Sequence, residues 1–174
     1  MKVIRNVLLL TALCVYASAQ SNSKSPAEQR FFNLEDAVLH QVDLSAAELS
    51  ALAADAYFKG ASQSPSTKLT QDGLEAAAVH LCGSSERDLV VIGDGAQYAG
   101  ANGGPFWIIR DLPTGPQIVL QSGMLGLTIE ASRSNKCLNV ESFTATADEG
   151  TTTDFRFNGQ KYVVYNQKTA KLGR

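Results

Sequence analysis

The feature that most restricts the fold is a series of short apolar runs that begins at Leu74 and continues almost to the end of the chain. The runs recur at intervals of roughly 8 to 15 residues with turn-forming residues between them, which is typical of an antiparallel sheet. The first run, LEAAAVHL, also fits two turns of helix. We expect strands at residues 74–82, 88–93, 105–111, 117–122, 125–131, 137–144, 151–157 and 160–166.

The last two runs are predicted to form a hairpin. Residues 155–157 and 161–163 flank Asn158 and Gly159, the dipeptide that favours a type I′ turn. Such a turn would place Phe155 opposite Tyr162 as a cross-strand aromatic pair. The polar residues of this hairpin, Asp154, Arg156 and Lys161, are expected to form a solvated sheet surface.

One helix is predicted ahead of the sheet. Ser45 and Glu48 have the spacing of a capping box, apolar residues then repeat at helical spacing, and Gly60 is a typical C-terminal stop. The helix is therefore expected from about Ser45 to Lys59. The predicted fold class is α+β, an N-terminal helix followed by a largely antiparallel sheet of about seven to eight strands, in a single domain over residues 45–174.

The start of the chain has the pattern of an export signal. Lys2 and Arg5 supply positive charge, residues 7–15 are apolar, and Ala17-Ser18-Ala19 is an A-x-A cleavage site before Gln20. The apolar segment is shorter than the roughly 20 residues of a transmembrane helix. Residues 1–19 are predicted to be a signal peptide and residues 20–44 a flexible lead-in with one short segment. The protein is expected to be secreted or periplasmic.

The charge balance argues against two classes of partner. Lys2 and Arg5 leave with the signal, so 13 basic and 17 acidic residues remain, a net charge of −4. A mildly acidic domain lacks the positive field that draws proteins to nucleic acids and anionic membranes. We therefore expect no nucleic-acid partner. We also expect no integral membrane segment after signal cleavage, because no later segment is apolar enough to span a bilayer.

Two cysteines remain once Cys14 is removed with the signal. In an oxidising compartment, Cys82 and Cys137 are expected to form a disulfide, which would close a loop of about 56 residues and contribute up to about 4 kcal/mol. Two free buried thiols are one alternative. The other is a metal or catalytic site that includes His80, which shares a strand face with Cys82.

Motifs for catalysis, cofactors and metals are absent from the sequence. There is no G-x-S-x-G, no P-loop, no H-E-x-x-H and no D-x-[DN]-x-[DN]-G calcium loop. Nothing singles out a catalytic pair among the 17 acidic residues, although spacing alone leaves one open. His80 lies in an apolar run and is expected to be a core histidine. No catalytic residue, cofactor or metal ligand is predicted.

A glycine-rich stretch from Gly93 to Gly104 is the most conspicuous local feature. It does not fit a dinucleotide fingerprint, because Tyr98 replaces the third glycine and a strand follows instead of a helix. One interpretation is a long, bent connection that covers the end of the core. The other is an exposed partner-contact loop acting through Asp94, Tyr98 and Asn102.

Two stretches carry a resemblance to known sequences. Residues 87–93 (RDLVVIG) and 100–110 (GANGGPFWIIR), with the F-x-F-N-G-x-x-Y hairpin at Phe155 to Tyr162, resemble a pattern in small, exported, uncharacterised bacterial proteins. The resemblance covers roughly residues 72–166. Residues 88–93 are also similar to a strand of FG-GAP propeller repeats, without the acidic calcium loop that precedes it there. Neither resemblance implies an activity or a site residue.

The expected function is that of an exported, non-enzymatic binding or inhibitor-like module with an unknown protein or envelope component as partner. A small secreted hydrolase with an unrecognised carboxylate or histidine site is the first alternative. A structural envelope domain that pairs through a sheet edge is the second. A cleft with perturbed acids would favour the enzyme, and an exposed apolar patch would favour binding.

The exported chain is predicted to begin at Gln20, because Ala17-Ser18-Ala19 satisfies the small-residue rule for cleavage. N-terminal sequencing of the exported protein measures this directly. A chain that starts at Met1, or one that is acylated on Cys14, would contradict the prediction.

Overall fold

The computed structural model describes residues 28–60, 69–83, 87–93, 98 and 103–173. It is mostly β, with 58% strand and 9% helix, and it contains two antiparallel sheets. The predicted α+β class is therefore wrong. The structure differs from the predicted class in two ways. The strands divide into two sheets that pack on each other, and the helical segment is short and broken.

All eight predicted strands are present, and the run at residue 74 is a strand rather than a helix. A further short strand lies in the segment that was assigned to the lead-in. In chain order the elements are β1 (Phe31–Asn33), α1 (Ala46–Ala53), α2 (Ala56–Gly60), β2 (Leu74–Val79), β3 (Asp88–Gly93), β4 (Gly104–Leu112), β5 (Gly115–Met124), β6 (Gly126–Ser134), β7 (Cys137–Ala145), β8 (Glu149–Phe157) and β9 (Tyr162–Lys171).

The two sheets form a sandwich around a shared core. The five-stranded sheet has the order β1-β6-β7-β8-β9, and the four-stranded sheet has the order β2-β3-β4-β5. Alternate residues of each strand point between the sheets, as the period of two requires. The core between them includes Phe106, Ile108, Met124, Leu127 and Phe155.

A second apolar cluster lies on the outer face of the four-stranded sheet, beneath the helices. Trp107 is fully buried there, together with Leu52 of α1. The ring of Phe58 in α2 stacks on Trp107 with 5.4 Å between ring centroids. Because both faces of this sheet are covered, β3 is buried along its whole length, which explains its uninterrupted apolar sequence.

The predicted capping box is confirmed, but the helix is not continuous. The Ser45 hydroxyl accepts a hydrogen bond from Glu48 N at 3.3 Å, and a Glu48 carboxylate oxygen accepts one from Ser45 N at 2.5 Å. The helix then ends at Ala53 and a new one begins at Ala56. The side chain of Asp55 accepts a hydrogen bond from Tyr57 N at 2.9 Å, which favours a break over continued helix.

The predicted Cys82–Cys137 disulfide is present. Cys82 follows β2 of the four-stranded sheet and Cys137 begins β7 of the five-stranded sheet, so the bond links the two layers. Beside it, Leu138 N donates a hydrogen bond to Leu81 O at 2.9 Å. The disulfide therefore fixes one end of the sandwich.

The final hairpin exists, but its turn differs from the prediction. Phe157, rather than Phe155, pairs with Tyr162, so that four residues connect β8 to β9. Gly159 has a φ of 106°, whereas Asn158 is not in the positive region that a type I′ turn requires. Instead, Asn158 Oδ1 accepts hydrogen bonds from the backbone N–H groups of Gln160 and Lys161, each at 2.9 Å.

Within the ranges that the structure describes, no helix combines the length and the apolar character needed to cross a membrane.

Gly159→Val is expected to destabilise the protein by about 1–3 kcal/mol, because a β-branched residue must then adopt a positive φ. No atom lies within 4 Å of the added Cβ, so the loss would report backbone strain and not a clash. Gly123→Val is the matched control, because Gly123 has equally open space and an ordinary φ. Thermal unfolding of both variants measures the difference. Equal melting temperatures would contradict the prediction.

Candidate functional site

The structure describes one of the three proposed loop-contact residues. Tyr98 packs its ring edge-on against Phe58 at 6.0 Å, and its carbonyl accepts a hydrogen bond from the Tyr57 hydroxyl at 3.2 Å. Burial raises the pKa of the Tyr98 hydroxyl. Tyr98 thus attaches its segment to the helical cover. Asp94 and Asn102 lie outside the described residues, and the contact role of this loop stays a prediction.

His80 is not the core histidine that was expected. Its side chain is 57% exposed, and its Nδ1 lies 3.3 Å from an oxygen of Glu28. The strand alternation places His80 on the face of Ala78, which is exposed, and not on the face of Ala77 and Val79, which are buried in the core. Cys82 and Cys137 are joined to each other, which rules out a thiolate site with His80.

A buried ion pair lies near the disulfide. The carboxylate of Asp88 is fully buried and accepts hydrogen bonds from Arg110 Nε at 3.0 Å and from Leu81 N at 2.8 Å. Burial raises the pKa of Asp88, and the backbone hydrogen bonds from Leu81 and Cys82 act in the opposite direction. Because this pair is enclosed, it joins the strands of the core and does not face a ligand.

Three acidic side chains converge on the outer face of the five-stranded sheet. Glu141 of β7 is directly opposite Asp154 of β8 in the strand register, and Glu130 of β6 lies beside them. One carboxylate oxygen from each residue lies within 4.8 Å of the others. We call Glu130, Glu141 and Asp154 the acid cluster.

Glu141 of the acid cluster has a raised pKa. Partial burial is the largest cause of the raised pKa of Glu141, followed by the negative charges of Asp154 and Glu130, while Lys168 acts in the opposite direction. Like charges directly opposite each other destabilise an antiparallel pair. The arrangement therefore departs from what stability alone favours, as functional sites often do.

A hollow of about 360 Å³ lies against the acid cluster. Glu130 and Asp154 line it together with Ser132 and Asn139. The Asn139 side-chain amide donates to the Ser132 hydroxyl at 2.7 Å, and that hydroxyl donates to Glu130 at 2.7 Å. Asn139 is only 7% exposed, and its Oδ1 has no hydrogen-bond partner among the described residues.

The β-bulge in β6 creates this hollow. Ile129 pairs with Val140, but the next paired residue of β6 is Arg133, opposite Leu138. Three residues of β6, 130–132, therefore lie opposite one residue of β7, Asn139. This extra length turns Glu130 and Ser132 toward the same side as the asparagine. Bulges re-aim side chains in this way near functional sites.

The other end of the same face is apolar. Phe31, Phe143 and Leu172 are 54%, 40% and 42% exposed. A Cβ placed on Gly126 would lie 3.6 Å from the Phe31 ring, and one on Gly150 would lie 3.0 Å from the Phe143 ring, so both rings rest on glycine backbone. We call Phe31, Phe143 and Leu172 the apolar end.

The acid cluster was not predicted from the sequence. Its members come from three strands, and none of them belongs to a linear metal or catalytic motif. Their oxygen atoms are nevertheless the ligands that hard divalent cations take. The signal that was available is positional, since the predicted strands 125–131, 137–144 and 151–157 each contain one of the acids on the outward alternation.

Compared with protein-family models, with curated proteins and with solved structures, the chain matches none of them.

Glu141→Gln is expected to stabilise the protein at pH 7, with a chelator present, by about 0.2–1 kcal/mol, because it removes the repulsion across the β7–β8 pair. Chemical denaturation measures the free energy of unfolding. Glu149→Gln is the control, since Glu149 is exposed and lies opposite Lys171, and it should give no gain. A loss of stability in Glu141→Gln would show that the acid cluster is not repulsive.

Proposed function

We propose that the chain is an exported, non-enzymatic binding module that holds a protein or envelope component on the outer face of its five-stranded sheet. The observation that carries the proposal is the difference between the two outer faces. The helices cover the outer face of the four-stranded sheet, whereas no described element covers the corresponding face of the five-stranded sheet.

The apolar end supports binding at this face. Phe31 and Phe143 place large rings on the solvent side of adjacent regions of one sheet, and Leu172 lies beside Phe143 across Gly150. Aromatic side chains that are held by a rigid sheet lose little conformational entropy when they bind. Grouped exposed apolar side chains are a common feature of interaction surfaces.

Export is part of the proposal. The Cys82–Cys137 disulfide is compatible with an oxidising compartment such as the extracellular space. The export pattern of residues 1–19 points in the same direction. Residues 1–27 lie outside the described part of the chain, so N-terminal sequencing remains the test of cleavage.

The hydrolase alternative has one observation in its favour. Glu141 has a raised pKa next to the carboxylate of Asp154, and paired acids of this kind can act as general acid and base. We favour binding because the hollow beside the pair is small and polar, and its lining residues include no histidine that could activate the hydroxyl of Ser132 or Ser134. The edge-pairing alternative rests on β9, a ten-residue edge strand with an exposed Tyr165.

The test is capture of partners by the exported protein and its Phe143→Ser variant. The unchanged protein is expected to capture a partner from an envelope extract of the cells that produce it. We expect the variant to capture at least about tenfold less of this partner, because aromatic contacts dominate binding energy. Quantitative mass spectrometry of the captured proteins measures this loss. Circular dichroism checks that the variant is folded.

Val164→Ser is the matched control. Val164 is 60% exposed, but it lies opposite Phe155 and therefore does not belong to the outer face. It should retain the partner. Equal capture by the Phe143 and Val164 variants, or no specific partner for the unchanged protein, would contradict the proposal, and turnover of a substrate that Glu141→Gln abolishes would favour the hydrolase.

A further inference from the structure

We propose that Glu130, Glu141, Asp154 and Asn139 form a calcium-binding site on the outer face of the five-stranded sheet. The site would hold Ca²⁺ through three carboxylates and the side-chain oxygen of Asn139. This inference is independent of partner binding, since it concerns the central part of the face and not the apolar end.

The geometry of the acid cluster fits the calcium ion. Ca²⁺ takes six to eight oxygen ligands at about 2.3–2.6 Å, so two of its ligand atoms lie at most about 5 Å apart. The three carboxylate oxygens lie within 4.8 Å of one another, which allows them to share one coordination sphere. Mg²⁺ requires shorter bonds in an almost ideal octahedron, and three acids on separate strands are poorly suited to that requirement.

Asn139 independently indicates a cation beside the acid cluster. Asn139 lines the same hollow as Glu130 and Asp154. It is only 7% exposed, and its Oδ1 accepts no hydrogen bond among the described residues. A buried acceptor without a donor is costly. A cation at the edge of the hollow, next to Glu141, would satisfy this oxygen and the three carboxylates together.

The neighbouring hydrogen bonds fix the orientation of the Asn139 amide. The Ser132 hydroxyl donates its proton to Glu130, so its oxygen is free to accept from the NH₂ group of Asn139. The reversed amide would make Asn139 and Glu130 compete for a single hydroxyl proton. The carbonyl oxygen is therefore the atom left without a partner.

The cations near the site have other contacts. Arg133 donates from Nη1 to the carbonyl oxygens of Leu81 and Lys136, at 3.3 and 2.8 Å. The guanidinium of Arg156 lies over the ring of Tyr165. Lys168 lowers the pKa of Glu141, but its effect is smaller than that of Asp154 or of Glu130, each of which raises it. The cluster thus keeps excess negative charge for a divalent cation.

Calcium would act as a cross-link between three strands. Glu130, Glu141 and Asp154 belong to β6, β7 and β8, and the bulge of β6 interrupts the regular β6–β7 pairing beside them. Ligation would replace repulsion with attraction at this interruption. We therefore expect bound calcium to raise the thermal stability of the protein.

The experiment is a titration of the chelator-treated, purified protein with calcium chloride, followed by isothermal titration calorimetry and thermal unfolding. We expect saturable binding of one ion with a dissociation constant of about 10⁻⁴–10⁻³ M, the range of extracellular calcium modules. The melting temperature should rise with calcium concentration. Sodium chloride at matched ionic strength controls for screening, and magnesium chloride controls for selectivity.

Three variants assign the ligands. Glu141→Gln and Asp154→Asn should each weaken calcium binding by at least about tenfold, and Asn139→Leu should weaken it by roughly tenfold through loss of the amide oxygen. Glu149→Gln, an exposed acid outside the cluster, should bind as the unchanged protein does. Circular dichroism of each variant without calcium shows whether the sheet is retained.

Several results would overturn the proposal. They are the absence of saturable binding, a melting temperature that rises equally with sodium chloride, magnesium binding as tight as calcium binding, and unchanged calcium affinity in folded Glu141→Gln or Asn139→Leu protein. Because none of these measurements uses a partner, failure here is distinguishable from failure of partner capture by Phe143→Ser.

Discussion

The cross-linked end of the sandwich depends on the interactions of one buried carboxylate, that of Asp88. It opens β3 with a charged group that is fully enclosed, and an enclosed charge without partners would cost several kcal/mol. Leu81 N, Cys82 N and Arg110 Nε all donate to it. The two backbone hydrogen bonds fix the path of the chain after β2. The ion pair with Asp88 holds the guanidinium of Arg110 over the ring of Phe157 in the opposite sheet.

The candidate site lies beside this fixed end. The Tyr162 hydroxyl donates to Leu138 O, and Arg133 donates to Leu81 O, so residues from β6, β7 and β9 are tied to the segment that Asp88 and the disulfide hold. Arg133 follows the β6 bulge directly. The bulge that turns Glu130 and Ser132 toward Asn139 is therefore anchored by a rigid core, which is what a preorganised ligand set requires.

The two outer faces of the sandwich differ in how far their apolar side chains are buried. On the four-stranded sheet, Trp107 and its neighbours lie beneath the helices and contribute to stability. On the five-stranded sheet, Phe31 and Phe143 remain exposed, and Glu141 opposes Asp154 across a strand pair. Exposed aromatic rings and opposed acids do not improve folding, and their presence on one face is the reason why we propose a function for that face.

The sequence by itself determined features that depend on near neighbours, namely the seven strands β3 to β9 and the Ser45–Glu48 capping box. The disulfide was predicted from a different signal, an even pair of cysteines in a chain that begins with the pattern of an export signal. Only the tertiary structure decided the division into two sheets, the break at Asp55, the exposure of His80 and the convergence of Glu130, Glu141 and Asp154. The reason is physical. Strand alternation and helix caps arise within a few residues, whereas register, bulges and burial depend on which distant strand lies alongside, and that choice is made by packing the whole core.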